Sequence, residues 1–188
     1  KRPGIVHRLD KDTSGVLAVA RSLKAQANLV KQLKNRSMSR RYCALVYGHP
    51  SKEGTIDAPV DRHRIQRTKM TVVFSGKPAV TQYRLTETTA HFAWLDVKLE
   101  TGRTHQIRVH MTHIGHPLVG DPVYRQGRLG LGRATQEVRA LIDGFPRQAL
   151  HARKLGLIHP IRGESVEFEV PIASDLNDLL IALRSVDV

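Results

Sequence analysis

Several β-rich runs follow one another through the middle of the sequence, and this feature constrains the fold most. The runs occupy residues 41–48, 69–75, 79–87 and 92–100, and turn-forming sequence such as Ser-Gly-Lys-Pro at 75–78 separates them. Consecutive strands without intervening helices pair in antiparallel fashion through short connections. We therefore predict an α+β fold with a mainly antiparallel sheet, not alternating β-α-β units.

Helical spacing of apolar residues predicts helices on both sides of these runs. The predicted helices are residues 23–35 capped by Ser22, a helix that Thr104 caps and Gly115 ends, residues 134–142, and a last helix capped by Ser174. Three further predictions are a buried strand at 15–20, a loop at 125–133, and a hairpin over 154–172 that turns at Arg162 and Gly163.

Length and composition bound the class of protein. The 188 residues with 40% hydrophobic content suffice for one domain with its own core. No run approaches the roughly 20 apolar residues that a membrane-spanning helix needs, so we expect a cytoplasmic protein without membrane contact. The single Cys43 lies among apolar neighbours and is expected to be a buried thiol.

Net charge points to a polyanionic partner. The chain has 30 Lys and Arg against 17 Asp and Glu, a formal net charge of +13. Residues 1–41 alone hold eleven of these cations and two Asp. Membrane surfaces also attract cations, but usually through one basic amphipathic helix, whereas here the charge is spread along the chain. Nucleic acid is the better match.

The usual signatures of metal or nucleotide chemistry are missing from the sequence. Four histidines lie between residues 105 and 116, at spacings of five, three and three, which put no more than two on one helix face. The Gly-rich stretch 127–132 follows no strand, so it is a poor dinucleotide motif. We expect no metal and no cofactor.

One carboxylate stands in an unusual setting. Asp10 lies in the run HRLDKDTSG, residues 7–15, between Arg8 and Lys11. Neighbouring cations favour the ionised carboxylate, which suits a nucleophile or a base and not a general acid. Solvated loop charges are the plain alternative for such a run taken alone.

The run HRLDKDTSG closely resembles the signature loop of the RluA family of pseudouridine synthases. The family's other motifs resemble RRYCALVYG at 40–48, the segment 99–124, and RQALHARKLGLIHP at 147–160, in the family's order. The resemblance implies the pseudouridine synthase catalytic fold, in which helices flank the sheet and a central cleft binds RNA, and it implies no cofactor. The run 61–70 and the insertion 125–148 further resemble the branch that modifies large-subunit ribosomal RNA.

The resemblance also assigns roles to single residues. Asp10 matches the catalytic aspartate, Arg8 the side chain that fills the gap left by a flipped nucleotide, and Arg108 the cation paired with the aspartate. Tyr42 matches the ring that stacks on the target uracil, although a core tyrosine is the alternative for a residue on a buried strand. The loop that holds the aspartate is matched by His7, Thr13, Ser14 and Gly15.

Other cations are candidates for phosphate contact. Arg103 and His105 lie at the predicted start of a helix, where anions bind. Arg62, Arg64 and Arg67 belong to the basic run RHRIQRTK at 62–69, which is either an RNA contact or a solvated face.

We predict an RNA pseudouridine synthase that acts as a monomer, in which Asp10 either adds covalently or removes a ribose proton. A non-catalytic RNA-binding module and a metal-dependent nuclease are the alternatives. Members of the family carry a further catalytic segment before this signature loop, and often an S4 domain. We therefore expect residues 1–188 to form a catalytic domain that lacks its N-terminal segment.

Overall fold

A seven-stranded sheet forms the centre of the molecule. The computed structural model describes residues 3–124 and 131–187. The strands in these ranges are β1 Ser14–Gly15, β2 Ser39–Tyr47, β3 Glu53–Asp57, β4 Val60–Arg62, β5 Met70–Val72, β6 Val80–Thr88, β7 Phe92–Leu99, β8 Leu150–Ile158 and β9 Ser165–Glu169. The helices are α1 Leu23–Lys34, α2 Gln106–His113, α3 Gln136–Gly144 and α4 Ser174–Val186.

The sheet runs in the order β1-β8-β2-β7-β6-β3, with β9 also paired to β8, while β4 and β5 form a separate two-stranded sheet. Every pairing is antiparallel except that of β1 with β8. The predicted α+β class with a mainly antiparallel sheet is therefore confirmed. The hairpin of β8 and β9 turns where predicted, with Gly163 at a φ of 76°.

Strand β2 divides the core into two layers, because its side chains alternate between the two faces of the sheet. Tyr42, Ala44 and Val46 pack in one cluster that also holds residues of α2. Leu45 and Tyr47 pack on the opposite face against α3 and α4. The central strand thus carries one helix layer on each side.

Three of the predicted helix starts need correction or adjustment. Ser22 caps α1 as predicted, because its hydroxyl accepts the Ala25 N–H. Thr104 does not cap α2: His105 occupies that position in a left-handed conformation, and the prediction was one residue early. Ser174 is the first residue of α4 and not its cap, which is Ala173. The helix predicted at 134–142 is α3, with Thr135 as its cap.

The predicted buried strand at 15–20 is wrong. Only Ser14 and Gly15 belong to a strand, and the side chains of Leu17 and Val19 are 38% and 53% exposed. This segment pairs with β8 through only two residues. On its other side it meets the N-terminal residues through an isolated bridge between Ile5 and Val19, which does not extend into a strand. The predicted loop at 125–133 lies mostly outside the described residues.

No helix within residues 3–124 and 131–187 has the length and apolar character that crossing a membrane requires.

Candidate active-site cleft

A cleft of about 680 Å³ opens between the N-terminal segment, the start of β2 and the loop that leads into α2. Cations dominate its walls, and the only carboxylates that line it among the described residues are those of Asp10 and Glu100. The cations are Arg8, Lys34, Arg36, Arg40 and Arg103. A polyanion that enters this cleft meets a mainly positive surface, in which Asp10 lies on a loop.

Residues 10–15, which we call the Asp10 loop, are fixed by side chains from the far end of the sequence. The Gln148 side chain, which is 1% exposed, donates to the carbonyl of Lys11 at 2.6 Å and to the Thr13 hydroxyl at 2.9 Å. Arg147 donates to the carbonyl of Asp12 at 3.2 Å. Both residues precede β8, so the strand order of the sheet delivers them to the loop.

The end of the Asp10 loop is pinned to β8 directly. The Ser14 hydroxyl lies 2.9 Å from Nδ1 of His151. Gly15 has a φ of 116°, and a Cβ at this position would lie 2.2 Å from the carbonyl oxygen of Ala152. Only glycine allows the loop to approach the strand this closely.

His7 supports the loop as a neutral side chain. Its Nε2 accepts the N–H of Ala18 at 3.1 Å, so this nitrogen carries no proton. Burial and the nearby Arg40 cation lower the pKa of His7 to about 4. His7 lines the cleft, yet its hydrogen bond is to the protein backbone.

Arg108 lies behind Asp10 and is held mainly by a different carboxylate. It donates to both oxygens of Asp121, at 2.7 and 2.9 Å, and contacts Asp10 Oδ2 at a longer 3.5 Å. Burial alone would lower the pKa of Arg108, but the hydrogen bonds and charge of Asp121, with a smaller effect of Asp10, raise it overall. Asp121 therefore neutralises most of Arg108 and leaves Asp10 facing the cleft.

Tyr124 links this ion pair to the cleft wall. The guanidinium of Arg108 lies 5.1 Å from the centre of its ring. Its hydroxyl is 2.8 Å from Nδ1 of His105 and accepts the Met70 N–H at 2.8 Å. Burial, more than any neighbouring charge, raises the pKa of Tyr124 to about 12 and lowers the pKa of His105. Both side chains are uncharged at neutral pH.

Tyr42 borders the cleft from β2 and is 7% exposed. Burial raises the pKa of its hydroxyl, and the Arg40 cation partly opposes this increase. The ring belongs to the core cluster and also forms part of the cleft wall. It is therefore rigidly placed, as a surface that stacks on a base must be.

The structure brings most of the predicted site residues together. His7, Arg8, Asp10, Thr13, Tyr42, Arg103 and His105 all line the cleft. Arg108 lies directly behind it, and Ser14 and Gly15 attach the loop to β8. Arg62, Arg64 and Arg67 are exposed and do not line the cleft, because they belong to β4 and the turn after it.

Sequence reasoning missed the residues that position these groups. Asp121 and Tyr124 lie inside the third motif, at its end, but no local pattern distinguishes a buried ion-pair partner there. Gln148 likewise lies in the last motif, 135 positions after the Thr13 that it contacts. The pairing of β8 with β1 brings it there, and only the tertiary structure reveals that.

Besides His105, two of the four clustered histidines contact other groups of the protein. His110 contacts the Thr81 hydroxyl and the Ala58 carbonyl, both at 2.9 Å, and His116 contacts the Tyr47 carbonyl at 2.9 Å. Among the residues that the structure describes, no three His, Cys, Asp or Glu side chains are grouped to hold a metal ion.

Comparison with known proteins places these features in a family. A family model described as RNA pseudouridylate synthase matches residues 1–113. The ribosomal large subunit pseudouridine synthase D of Pseudomonas aeruginosa is 54% identical over 184 residues, which cover 97% of this chain and 57% of that protein. Its namesake from Escherichia coli K12 is 48% identical, with 98% and 56% covered. The chain thus spans just over half the length of these relatives.

Solved structures of two human proteins have the same architecture. Human RNA pseudouridylate synthase domain containing 4 matches with a TM-score of 0.77 and 26% identity, over 96% of this chain and 75% of that one. Human RNA pseudouridylate synthase domain containing 1 matches with a TM-score of 0.72 and 29% identity, over 96% and 79%. The fold predicted from the motifs is confirmed.

Proposed function

The chain belongs to the RNA pseudouridylate synthase family, and we propose that it isomerises uridine to pseudouridine in RNA. The observation that carries this proposal is the position of Asp10. Its carboxylate lies in a positively charged cleft, on a loop that Gln148 and Arg147 fix from behind. One rigid carboxylate among cations is what a reaction on a polyanionic substrate needs.

The reaction exchanges one bond for another. The bond between uracil N1 and ribose C1′ breaks, the base turns, and a bond between uracil C5 and C1′ forms. N1 gains a proton and C5 loses one, so atoms and electrons balance without a cofactor. Asp10 either adds covalently during cleavage or removes a ribose proton, and both roles require the ionised carboxylate.

Access to the base requires its removal from the RNA stack, at a cost of a few kcal/mol. Arg8 is exposed at the mouth of the cleft, which suits a side chain that fills the gap left in the RNA. Tyr42 offers an aromatic face within the cleft for the extruded uracil. Arg103 and His105 line the same wall, and we assign them contacts to the backbone of the RNA.

Large-subunit ribosomal RNA is the substrate that we propose. The relatives from Pseudomonas and Escherichia are named for this activity, and they are 54% and 48% identical to this chain over nearly the whole length of this chain. We further propose that residues 1–188 form one catalytic domain, which acts in the cytoplasm as a monomer. Arg62, Arg64 and Arg67 extend the positive surface beyond the cleft for a large RNA.

A non-catalytic RNA-binding module is the second candidate, and the positive cleft alone would suit it. Asp10 argues against it, because a carboxylate that faces RNA repels phosphate and weakens binding. The ion pair of Arg108 and Asp121 behind that carboxylate is buried, which costs desolvation free energy, and a surface that only binds RNA would not need it.

Release of tritium from RNA labelled at carbon 5 of uracil tests the proposal. A large-subunit ribosomal RNA transcript incubated with the protein should lose tritium to water, and nearest-neighbour analysis should find pseudouridine at defined positions. Addition of a chelator should leave the rate unchanged. Binding of the transcript without tritium release would favour the RNA-binding module.

A further inference from the structure

Arg40 is a buried cation without an ion-pair partner among the residues that the structure describes. It lies on β2, is 7% exposed, and its Nε is buried without a hydrogen-bond partner among the described residues. Within those residues no carboxylate forms an ion pair with it, and burial is the main influence on its pKa, which it lowers. Arg108, the other buried arginine of this region, has two hydrogen bonds to Asp121.

An unpaired guanidinium is costly to bury, and arginine stays charged at neutral pH. Such groups are normally matched by a carboxylate or by a bound anion. The two carboxylates that line the cleft contact other residues: Asp10 contacts Arg108, and Glu100 accepts a hydrogen bond from Gln82 at 2.6 Å. The partner of Arg40 is therefore expected to enter through the cleft, whose wall includes Arg40.

The position of Arg40 relative to Tyr42 indicates what that partner is. The two residues are two apart on one strand and both line the cleft, so they share a face, about 7 Å apart. A nucleotide whose base stacks on Tyr42 extends its ribose and phosphate away from the ring, along the wall. A phosphodiester oxygen is the acceptor that matches a full positive charge and a planar fork of donors.

Gly102 lies beside the guanidinium of Arg40. A Cβ at residue 102 would lie 2.4 Å from Nη1 of Arg40, so a side chain here would displace the end of the arginine. Gly102, Arg103 and Arg40 all line the cleft, so the guanidinium of Arg40 lies where the loop into α2 meets β2.

We propose that Arg40 binds the phosphodiester that flanks the flipped uridine, and so fixes the ribose of the target nucleotide in the cleft. This inference rests on the proposed function, because it takes the occupant of the cleft to be an extruded nucleotide. It assigns a phosphate site distinct from Arg8, which is exposed at the cleft mouth.

The test asks whether the loss of the Arg40 side chain and the loss of one phosphate charge affect RNA affinity through the same interaction. Synthetic hairpins of large-subunit ribosomal RNA sequence carry one uncharged methylphosphonate at each position in turn, with a 2′-deoxy ribose there to prevent strand cleavage. Matched hairpins carry the 2′-deoxy ribose and a normal phosphate. Affinities are measured for the wild type, Arg40→Met and Arg41→Met. Arg41 is the matched control, because it lies on the opposite face of β2 and pairs with Asp96 at 2.8 Å.

The wild type and Arg41→Met should lose about 10- to 100-fold in affinity at one methylphosphonate position beside the target uridine, the effect of a charged hydrogen bond. Arg40→Met should bind the normal hairpin weakly by a similar factor and lose nothing further at that position. Its melting temperature should equal or exceed that of the wild type, because a buried charge has gone. Arg40→Lys should recover part of the affinity.

Two results would overturn the inference. Equal methylphosphonate sensitivity in the wild type and Arg40→Met would place the phosphate elsewhere, and would leave Arg40 acting on Tyr42 or His7 within the protein. A fall in melting temperature with unchanged affinity of the folded protein would make Arg40 structural. If tritium release persists in either case, the proposed function stands without this inference. Failure of the wild type to bind any hairpin would overturn both.

Discussion

The Asp10 loop and residues 60–72, the basic hairpin of β4 and β5, are both proposed to contact RNA, but the protein constrains them to different degrees. Gln148, Arg147 and His151 hold the loop by side-chain hydrogen bonds. The paired strands of the hairpin are anchored, because Val60 packs in a buried cluster and the N–H of Met70 donates to the Tyr124 hydroxyl. Its turn is held by local contacts, such as those of His63 with the N–H groups of residues 65 and 66, and Ile65 is 86% exposed.

This difference corresponds to two physical requirements. Bond rearrangement demands that a carboxylate stays within a fraction of an ångström of its target. Attraction between cations and a phosphate backbone acts over about 8 Å at physiological salt and tolerates movement. Mutations that remove or displace the Asp10 carboxylate should therefore reduce the chemical rate, whereas mutations of the hairpin cations should reduce RNA affinity.

The largest effect is expected from Asp10→Asn. Without the ionised carboxylate, tritium release should fall by roughly 10³-fold or more, while RNA affinity stays the same or rises because a repulsive charge has gone. Single-turnover release and filter binding measure the two quantities. Asp12→Asn is the matched control: Asp12 has a φ of 65°, which asparagine also adopts, so its activity should persist. Substantial turnover by Asp10→Asn would remove Asp10 from the chemistry.

Gln148→Ala tests whether the loop must be held from behind. Loss of the two hydrogen bonds to Lys11 and Thr13 should lower the single-turnover rate about 10²-fold, the effect of a displacement near 1 Å, and leave RNA affinity unchanged. Measurements are made well below the melting temperature, which should also fall. Gln136→Ala, an exposed glutamine on α3, is the control. A loss confined to affinity would contradict the division between loop and hairpin.

Tyr42 combines features of the loop and the hairpin, because it is rigidly held and is also proposed to contribute to RNA affinity by contacting the base. Tyr42→Ala should weaken RNA binding by about 1–3 kcal/mol, the contribution of stacking, whereas Tyr42→Phe keeps the ring and should bind normally. A lower rate in Tyr42→Phe would indicate that the hydroxyl takes the proton from carbon 5. If Tyr42→Ala loses thermal stability but the folded fraction binds RNA normally, Tyr42 is a core residue only.

Substitution of Arg62, Arg64 and Arg67 by alanine tests the hairpin. Affinity should fall and become less dependent on salt, with the slope of log K against log salt reduced by about 0.7–0.9 for each phosphate that the variant no longer neutralises. The rate at saturating RNA should not change. Alanine at Arg84, Arg153 and Arg162, which are exposed and lie near carboxylates, removes the same charge as a control. Equal slopes in the two triple variants would remove the hairpin from the RNA surface.

The smallest effect concerns acid stability of the loop. The pKa of His7 is about 4 in the fold, below its ordinary 6.5, so the unfolded chain binds the proton more readily. Neutral His7 therefore contributes fully to the free energy of unfolding above pH 6.5, and this contribution is lost as the pH falls towards 4. His7→Gln keeps an acceptor for Ala18 but does not titrate, so its free energy of unfolding should fall about 1–2 kcal/mol less than that of the wild type over this range. Parallel urea titrations at several pH values measure the difference.

The sequence predicted the features of the fold that depend on local patterns of residues, namely the main strands and helices. The β-rich runs located β2, β6 and β7, and the spacing of apolar residues located α1 and α4. The resemblance then predicted a site formed by Asp10, Tyr42 and Arg108. In the structure Asp10 and Tyr42 line one cleft and Arg108 lies behind Asp10, although their roles stay predictions. It did not reveal Asp121, Gln148 or Arg40, because burial, an ion pair or a missing partner appears only when distant strands pair. The short strands β3 and β4 were missed because charged and turn-forming residues mask their alternation.

The insertion of β8 between β1 and β2 has a consequence for synthesis on the ribosome. Strands β2, β7 and β6 can pair as soon as they emerge, since each neighbours the next along the sheet. The Asp10 loop must wait for more than 130 further residues before its partners in β8 appear, and long-range pairing of this kind forms late. A nascent chain thus displays an open edge on β2 until then. The Asp10 carboxylate cannot be placed correctly before then, so a partly synthesised chain should lack the activity that we propose.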